Sequence, residues 1–110
     1  MAKEMHIVLA PIRLKDGLDE KTLLEASDAF QLSFVSKQEG ILKRMLLRGR
    51  NGEYADLVFF ESKDDFDRVA GLEKTSPECF EFFKIMEPPD ESLADMGSLS
   101  FEHMRTYERH

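Results

Sequence analysis

Cysteine occurs once in this sequence, at position 79. A single cysteine excludes an internal disulfide, and within "SPECFEFF" Cys79 reads as a packed thiol, because no base accompanies it as a nucleophile would require. Positive charge is also in deficit: 15 Lys and Arg stand against 22 Asp and Glu, a net charge of -7. The basic residues gather only at Lys43, Arg44, Arg48 and Arg50, which argues against a nucleic-acid partner. No apolar run reaches the about 18 residues that a membrane span needs. The opening "MAKEMHIVLAPIRLKDG" lacks a signal-peptide layout. We therefore expect no membrane partner and a cytoplasmic protein. Metal-ligand spacing, a phosphate-cradling glycine loop and a Ser or Cys triad pattern are all missing, so no metal and no cofactor is expected.

What is there is one pattern of strands and helices. The run "MHIVLAPIRL", residues 5 to 14, is a strand closed by "KDG". Asp19 is a good helix N-cap, and the helix it opens is expected over Glu20 to Lys37, ending before Gly40. Leu23, Ala26, Phe30 and Phe34 make its apolar stripe, with Ser27 and Gln31 at the border. "ILKRMLLRG" and "YADLVFFE" flank Asn51-Gly52, a strong hairpin signal whose type I′ turn places both residues at positive φ. Ser62 with Asp65 resembles a capping box for a second helix, with Phe66, Val69 and Ala70 on its inner face. Ser76-Pro77 is an N-cap followed by proline at the first helical position, where the helix should break and restart. "EPPDESLADMG" reads as a linker and "SLSFEHMRTY" as the last strand.

Strand, helix, strand, strand, helix, strand is the order of an α+β, ferredoxin-like βαββαβ fold, an antiparallel sheet of order 4-1-3-2 with both helices on one face. We expect one domain over residues 1 to 110 with its core at about 5 to 106. At this length folding buries only about two-thirds of the unfolded chain's surface, so association would help stability. With a two-residue loop, Leu47 pairs with Asp56, Met45 with Val58 and Lys43 with Phe60. One sheet face then carries Met45, Leu47, Asp56, Val58 and Phe60, and the other Leu42, Leu46, Ala55, Leu57 and Phe59. A loop longer by one residue inverts the second strand. Two helices cover one face only. The apolar face left over, whichever of the two it is, marks an interface.

The two-faced apolar sheet, "GLDEKTLLEA", "GILKRMLLRG", and "VFFES" entering a helix that contains "SPECFEFF" together resemble the antibiotic-biosynthesis-monooxygenase-like family of dimeric α+β barrels. The resemblance implies two sheets packed face to face across a two-fold axis, with a pocket between sheet and helices in each subunit. On it the helices cover the face of Asp56, Val58 and Phe60, and the second copy of a two-fold homodimer covers the face of Leu57 and Phe59, with Ile7 and Leu9. The family's aromatic pocket residue, commonly Trp, falls on Phe60. Where the haem-degrading branch has Asn and His, the positions resemble Ala10 and Phe83, and no histidine lies between Ser62 and Met86. Haem is therefore not implied, and the expected cofactor is none.

Few groups remain to carry chemistry. His6 shares strand parity with Ala10 and could act as a general base for an acidic phenol or enol; the plainer reading is a half-exposed histidine at a strand start. Asp56 faces the helices, where a carboxylate needs a donor, so it is either catalytic or an ion-pair member. Phe60, Val58, Phe30 and Phe83 are candidate substrate contacts, as are Ser27 and Gln31, although aromatics at such positions more often fill a core. His103 has no fixed register. Two classes stay open. One resembles the cofactor-independent monooxygenases of the family, acting on a small aromatic or enolisable substrate. The other is a homodimer that binds a small apolar or aromatic ligand without catalysis, or is purely structural.

Overall fold

A computed structural model describes residues 4–87 and 99–109. The linker expected at 87 to 97 lies, beyond Glu87, outside the described residues, as does His110. Four strands and three α-helices follow in the order β1 (His6–Ile12), α1 (Glu20–Ser33), β2 (Ile41–Arg48), β3 (Tyr54–Phe60), α2 (Lys63–Glu73), α3 (Pro77–Phe83) and β4 (Leu99–Glu102). The strands form one antiparallel sheet, β2-β3-β1-β4, the expected order written from its other end.

Local chemistry sets the helix ends. Asp19 accepts the Thr22 amide at 2.9 Å and so satisfies one of the donors a helix N-terminus leaves free. α1 stops at Ser33, four residues short of expectation, and one 3-10 turn, Val35–Lys37, completes the segment. Ser62 caps α2 by accepting the Asp65 amide at 3.2 Å, while its hydroxyl donates to the Asp65 carboxylate at 2.8 Å. Pro77 occupies the first turn of α3, and Ser76 precedes it as N-cap, so the second helical segment breaks where proline permits a restart. After β3 the Glu61 amide donates to Gly40 O at 2.7 Å. Gly40 has φ 95°, and a Cβ there would stand 2.5 Å from the Asp65 Cγ, so only glycine fits.

The hairpin corrects the sequence reading. Gly49 and Glu53 close the loop, with the Gly49 amide donating to Glu53 O at 2.7 Å, so three residues rather than two form the turn. Gly52 sits at φ 83° and its amide approaches Gly49 O at 3.4 Å, the arrangement of a type I turn followed by a left-handed residue, not a type I′ turn. The extra residue moves β2 by one register: Leu46 pairs with Asp56, Arg44 with Val58 and Met45 with Leu57. A bulge between Ile41 and Lys43 then brings Ile41 opposite Phe60. Because side chains alternate, Arg44 and Leu46 share the helix side with Asp56, Val58 and Phe60, while Met45 and Leu47 stand on the open face. The assignment of β3 is unaffected, with Asp56 and Phe60 6% and 4% exposed beneath the helices.

The core lies between the sheet and the helices and includes Val8, Ile12, Leu23, Phe30, Phe34, Phe60, Val69, Cys79 and Phe82. Cys79 is fully buried in it. The opposite sheet face stays open and apolar. Leu57 and Phe59 are half-buried there, Met45, Leu47, Leu99 and Phe101 are 38–52% exposed, and the pairs Leu9–Leu99 and Ile7–Phe101 extend the patch across β4.

Candidate functional site

A cavity of about 110 Å³ lies between the covered sheet face and the helices. Val8 and Ala10 from β1, Asp56, Val58 and Phe60 from β3, and Arg44 and Ile41 from β2 form its floor. Phe30 and Phe34 with Val35, Phe66 and Glu73 from α2, and Phe82 and Phe83 from α3 form its walls. Phe30 stacks on Phe82 at 4.4 Å between ring centroids, and Phe60 meets Phe66 edge-on at 5.3 Å. The wall is thus aromatic on several sides, with Phe83, 37% exposed, toward solvent.

Arg44 is the polar centre. Its side chain and that of Asp56 are 7% and 8% exposed, with Nη1 3.1 Å from Asp56 Oδ2. Nη2 donates to Ser27 O at 2.9 Å and to Ser27 Oγ at 2.6 Å, and Nε donates to Gln31 Oε1 at 3.3 Å. The guanidinium also lies over the Phe30 and Phe82 rings, 5.3 and 5.7 Å from their centroids, an arrangement that favours a desolvated cation. A guanidinium has five N–H donors; these four contacts leave one on Nη1. Asp56 Oδ1 is buried and has no partner among the described residues. Burial pushes the Asp56 carboxyl above its usual range, and the charge and hydrogen bond of Arg44 offset part of that rise.

Glu73 adds a second carboxyl to the cavity wall. It is the last residue of α2, where the helix dipole disfavours negative charge. Burial, followed by the repulsion of Asp56, raises its pKa to about 7. Among the described residues the Glu73 side chain has no hydrogen-bond or ion-pair partner. The aromatic cavity is therefore lined by an Arg–Asp ion pair, whose guanidinium keeps one unused N–H, and by one carboxyl group that changes charge near neutrality.

The candidates named from sequence fall in three places. Phe60, Val58, Phe30, Phe83 and Asp56 line the cavity. Ser27 and Gln31 do not; both are engaged by Arg44, and Ser27 is buried beneath it. His6 shares the sheet face with them but lies at its end, beyond the cavity, 5% exposed rather than half-exposed and packed on Phe66 at 5.0 Å. Neither His6 ring nitrogen has a partner among the described residues. His103 follows β4, with its amide donating to Met5 O at 2.8 Å and Nε2 2.6 Å from Thr106 Oγ1. Sequence reasoning missed Arg44 and Glu73. The three-residue loop was the signal for Arg44. For Glu73 it was the inner helical stripe of Phe66, Val69 and Ala70, which continues to position 73 at helical spacing.

Among the described residues no group of three or more His, Cys, Asp or Glu side chains could hold a metal ion, and no helix is long and apolar enough to cross a membrane.

No protein-family model matches the chain, and the search of curated proteins gives no match. Solved structures do match. A provisionally named antibiotic biosynthesis monooxygenase from Caulobacter crescentus superposes with a TM-score of 0.67 at 13% identity, covering 94% of this chain and 93% of that one. SnoaB, a cofactor-independent oxygenase from Streptomyces nogalater, gives 0.59 at 15% identity with 97% of each chain covered. A further provisionally named antibiotic biosynthesis monooxygenase, from Chloroflexus aurantiacus, gives 0.63 at 10% identity over 94% of this chain and 97% of that one. These likenesses are of fold. The chain has the ferredoxin-like α+β architecture of antibiotic biosynthesis monooxygenase-like proteins.

Proposed function

We propose that this chain is a cofactor-independent monooxygenase for a small hydroxyl-bearing aromatic or enolisable substrate, which it binds between sheet and helices. The observation that carries the reading is a phenylalanine-lined cavity whose lining includes Arg44, a guanidinium that keeps one N–H beyond its four hydrogen bonds. A ring hydroxyl oxygen can accept from that N–H, which satisfies a donor that is costly to leave unpaired. At about 110 Å³ the space is below the roughly 150 Å³ of an apolar cavity known to take benzene, so a single small ring is the upper limit and its entry requires the phenylalanine wall to give.

Loss of the hydroxyl proton makes such a ring electron-rich enough to reduce dioxygen. For a hydroxyarene HO–Ar–H, the balance is HO–Ar–H + O₂ → quinone + H₂O: one oxygen atom becomes the new carbonyl, and the other leaves as water with two hydrogens from the substrate. Arg44 stabilises the developing oxyanion, and the aromatic wall excludes water. Asp56 holds Arg44 in place. The open face of Ile7, Leu9, Leu57 and Phe59, half-buried in one chain, is covered in this reading by a second copy related by a two-fold axis.

The test is oxygen uptake and quinone absorbance with single-ring phenols and hydroquinones. The proposal expects one dioxygen consumed per quinone, and uptake lost in Arg44→Met. Saturable binding of these compounds with no uptake would favour the non-catalytic ligand-binding reading.

A further inference from the structure

We propose that Glu73 is the proton acceptor of the cavity, its carboxylate taking the hydroxyl proton of a ring substrate whose oxygen is held by the free N–H of Arg44. The inference rests on the reading of the cavity as a site for a hydroxyl-bearing ring and names the group that reading leaves unassigned. His6 does not line the cavity. Asp56 does, but its charge is committed to a guanidinium 3.1 Å away. Protonating Asp56 would strand a buried cation, and breaking such a pair is strongly destabilising. Glu73 stands on the same cavity with no cationic partner, so gaining a proton costs it no ion pair.

The step is a simple transfer. The substrate O–H bond breaks with its electron pair left on oxygen, and a new O–H bond forms on the Glu73 carboxylate. Negative charge moves from Glu73 to an oxygen beside Arg44, and the net charge of the cavity does not change. Asp56 from β3 repels Glu73, Arg44 from β2 lines the same cavity, and the Cys79 thiol from α3 is pushed up by burial and, in part, by Glu73 itself. From β1 and α1 the cavity wall receives only Val8, Ala10 and Phe30, none of them titratable. With its carboxyl poised at about 7, Glu73 populates both forms at neutral pH, as an efficient general base should.

The probe is 4-fluorophenol, whose binding to the full chain is followed by ¹⁹F NMR as pH is varied through neutrality. A phenol ionises near 10, as tyrosine does, so any transition near neutrality belongs to the protein. Wild type should bind about tenfold more tightly on the alkaline side, where a charge-assisted hydrogen bond to Glu73 replaces a neutral one. Glu73→Gln should bind at every pH with the weaker affinity and no transition, while His6→Gln keeps the wild-type profile. Thermal unfolding confirms that each variant is folded. A flat wild-type profile, or a transition that survives in Glu73→Gln, overturns the assignment while leaving the ring-binding site intact. Absence of binding in wild type at every pH overturns both the assignment and the site.

Discussion

Replacing Glu73 by glutamine changes how stability depends on pH, and the sign follows from the structure. The carboxyl has a folded-state pKa of about 7 against a reference of 4.5. At pH values below the reference it is protonated in both states and contributes no pH dependence. Between the two values the unfolded chain ionises while the folded chain stays protonated. The folded state then binds more protons, so stability falls as pH rises. Above about 7 the penalty is complete. A rise of this size corresponds to roughly 3 kcal/mol at 1.36 kcal/mol per unit. Because Glu73 is half-buried, we take about 2 kcal/mol after allowing for solvent. Glutamine keeps the shape and cannot ionise. Glu73→Gln should therefore match wild type near pH 4.5 and exceed it in Tm by roughly 8 °C near pH 8, at about 4 °C per kcal/mol for a domain of this size. Thermal unfolding by circular dichroism at several pH values measures the difference. A gap that stays constant with pH, or wild type becoming the more stable protein at alkaline pH, would refute the reasoning.

Arg44→Leu should destabilise the protein by roughly 3 kcal/mol or more, because it leaves Asp56 as a buried carboxylate without its cation; Asp56→Asn should cost less, and urea unfolding ranks the two. Gly40→Ala combines a φ of 95° with a Cβ 2.5 Å from Asp65 Cγ, so a loss of about 2 kcal/mol or more is expected by the same assay. Leu57→Asp puts a charge on the open apolar face; if a second copy covers that face, light scattering should show the wild-type dimer replaced by monomer or by unfolded chain.

Elements with local signals were legible in the sequence. Asp19, Ser62 and Ser76-Pro77 announce helix starts by chemistry acting within one turn, and the strand order follows from alternation and connection rules. Alternation alone sorted strand β3 into its two faces, and the resemblance, through Phe60, said which of them the helices cover. Strand β2 was read with the wrong face, because its face depended on whether the turn holds two residues or three. Asn51-Gly52 suits a two-residue loop, whereas Gly49 and Gly52 together allow the longer one that forms. That single residue turned Arg44 inward, and with it came the ion pair to Asp56 and the capture of Ser27 and Gln31. His6 was given the right face but no depth: parity says which side of a sheet a residue takes, not whether a cavity reaches it. Glu73 was hidden by its charge, since a glutamate at a helix end is ordinarily solvated and only tertiary packing brings it to the cavity.

Methyl NMR with 4-fluorophenol tests the central claim, that the space between sheet and helices is the ligand site, because the open sheet face offers a competing apolar surface. The account predicts shifts at the methyls of Val8, Val35, Ile41 and Val58, which line the cavity, with those of Ile7, Leu9 and Leu57 unmoved. Shifts confined to Ile7, Leu9 and Leu57, or no shifts at saturating probe, would contradict it.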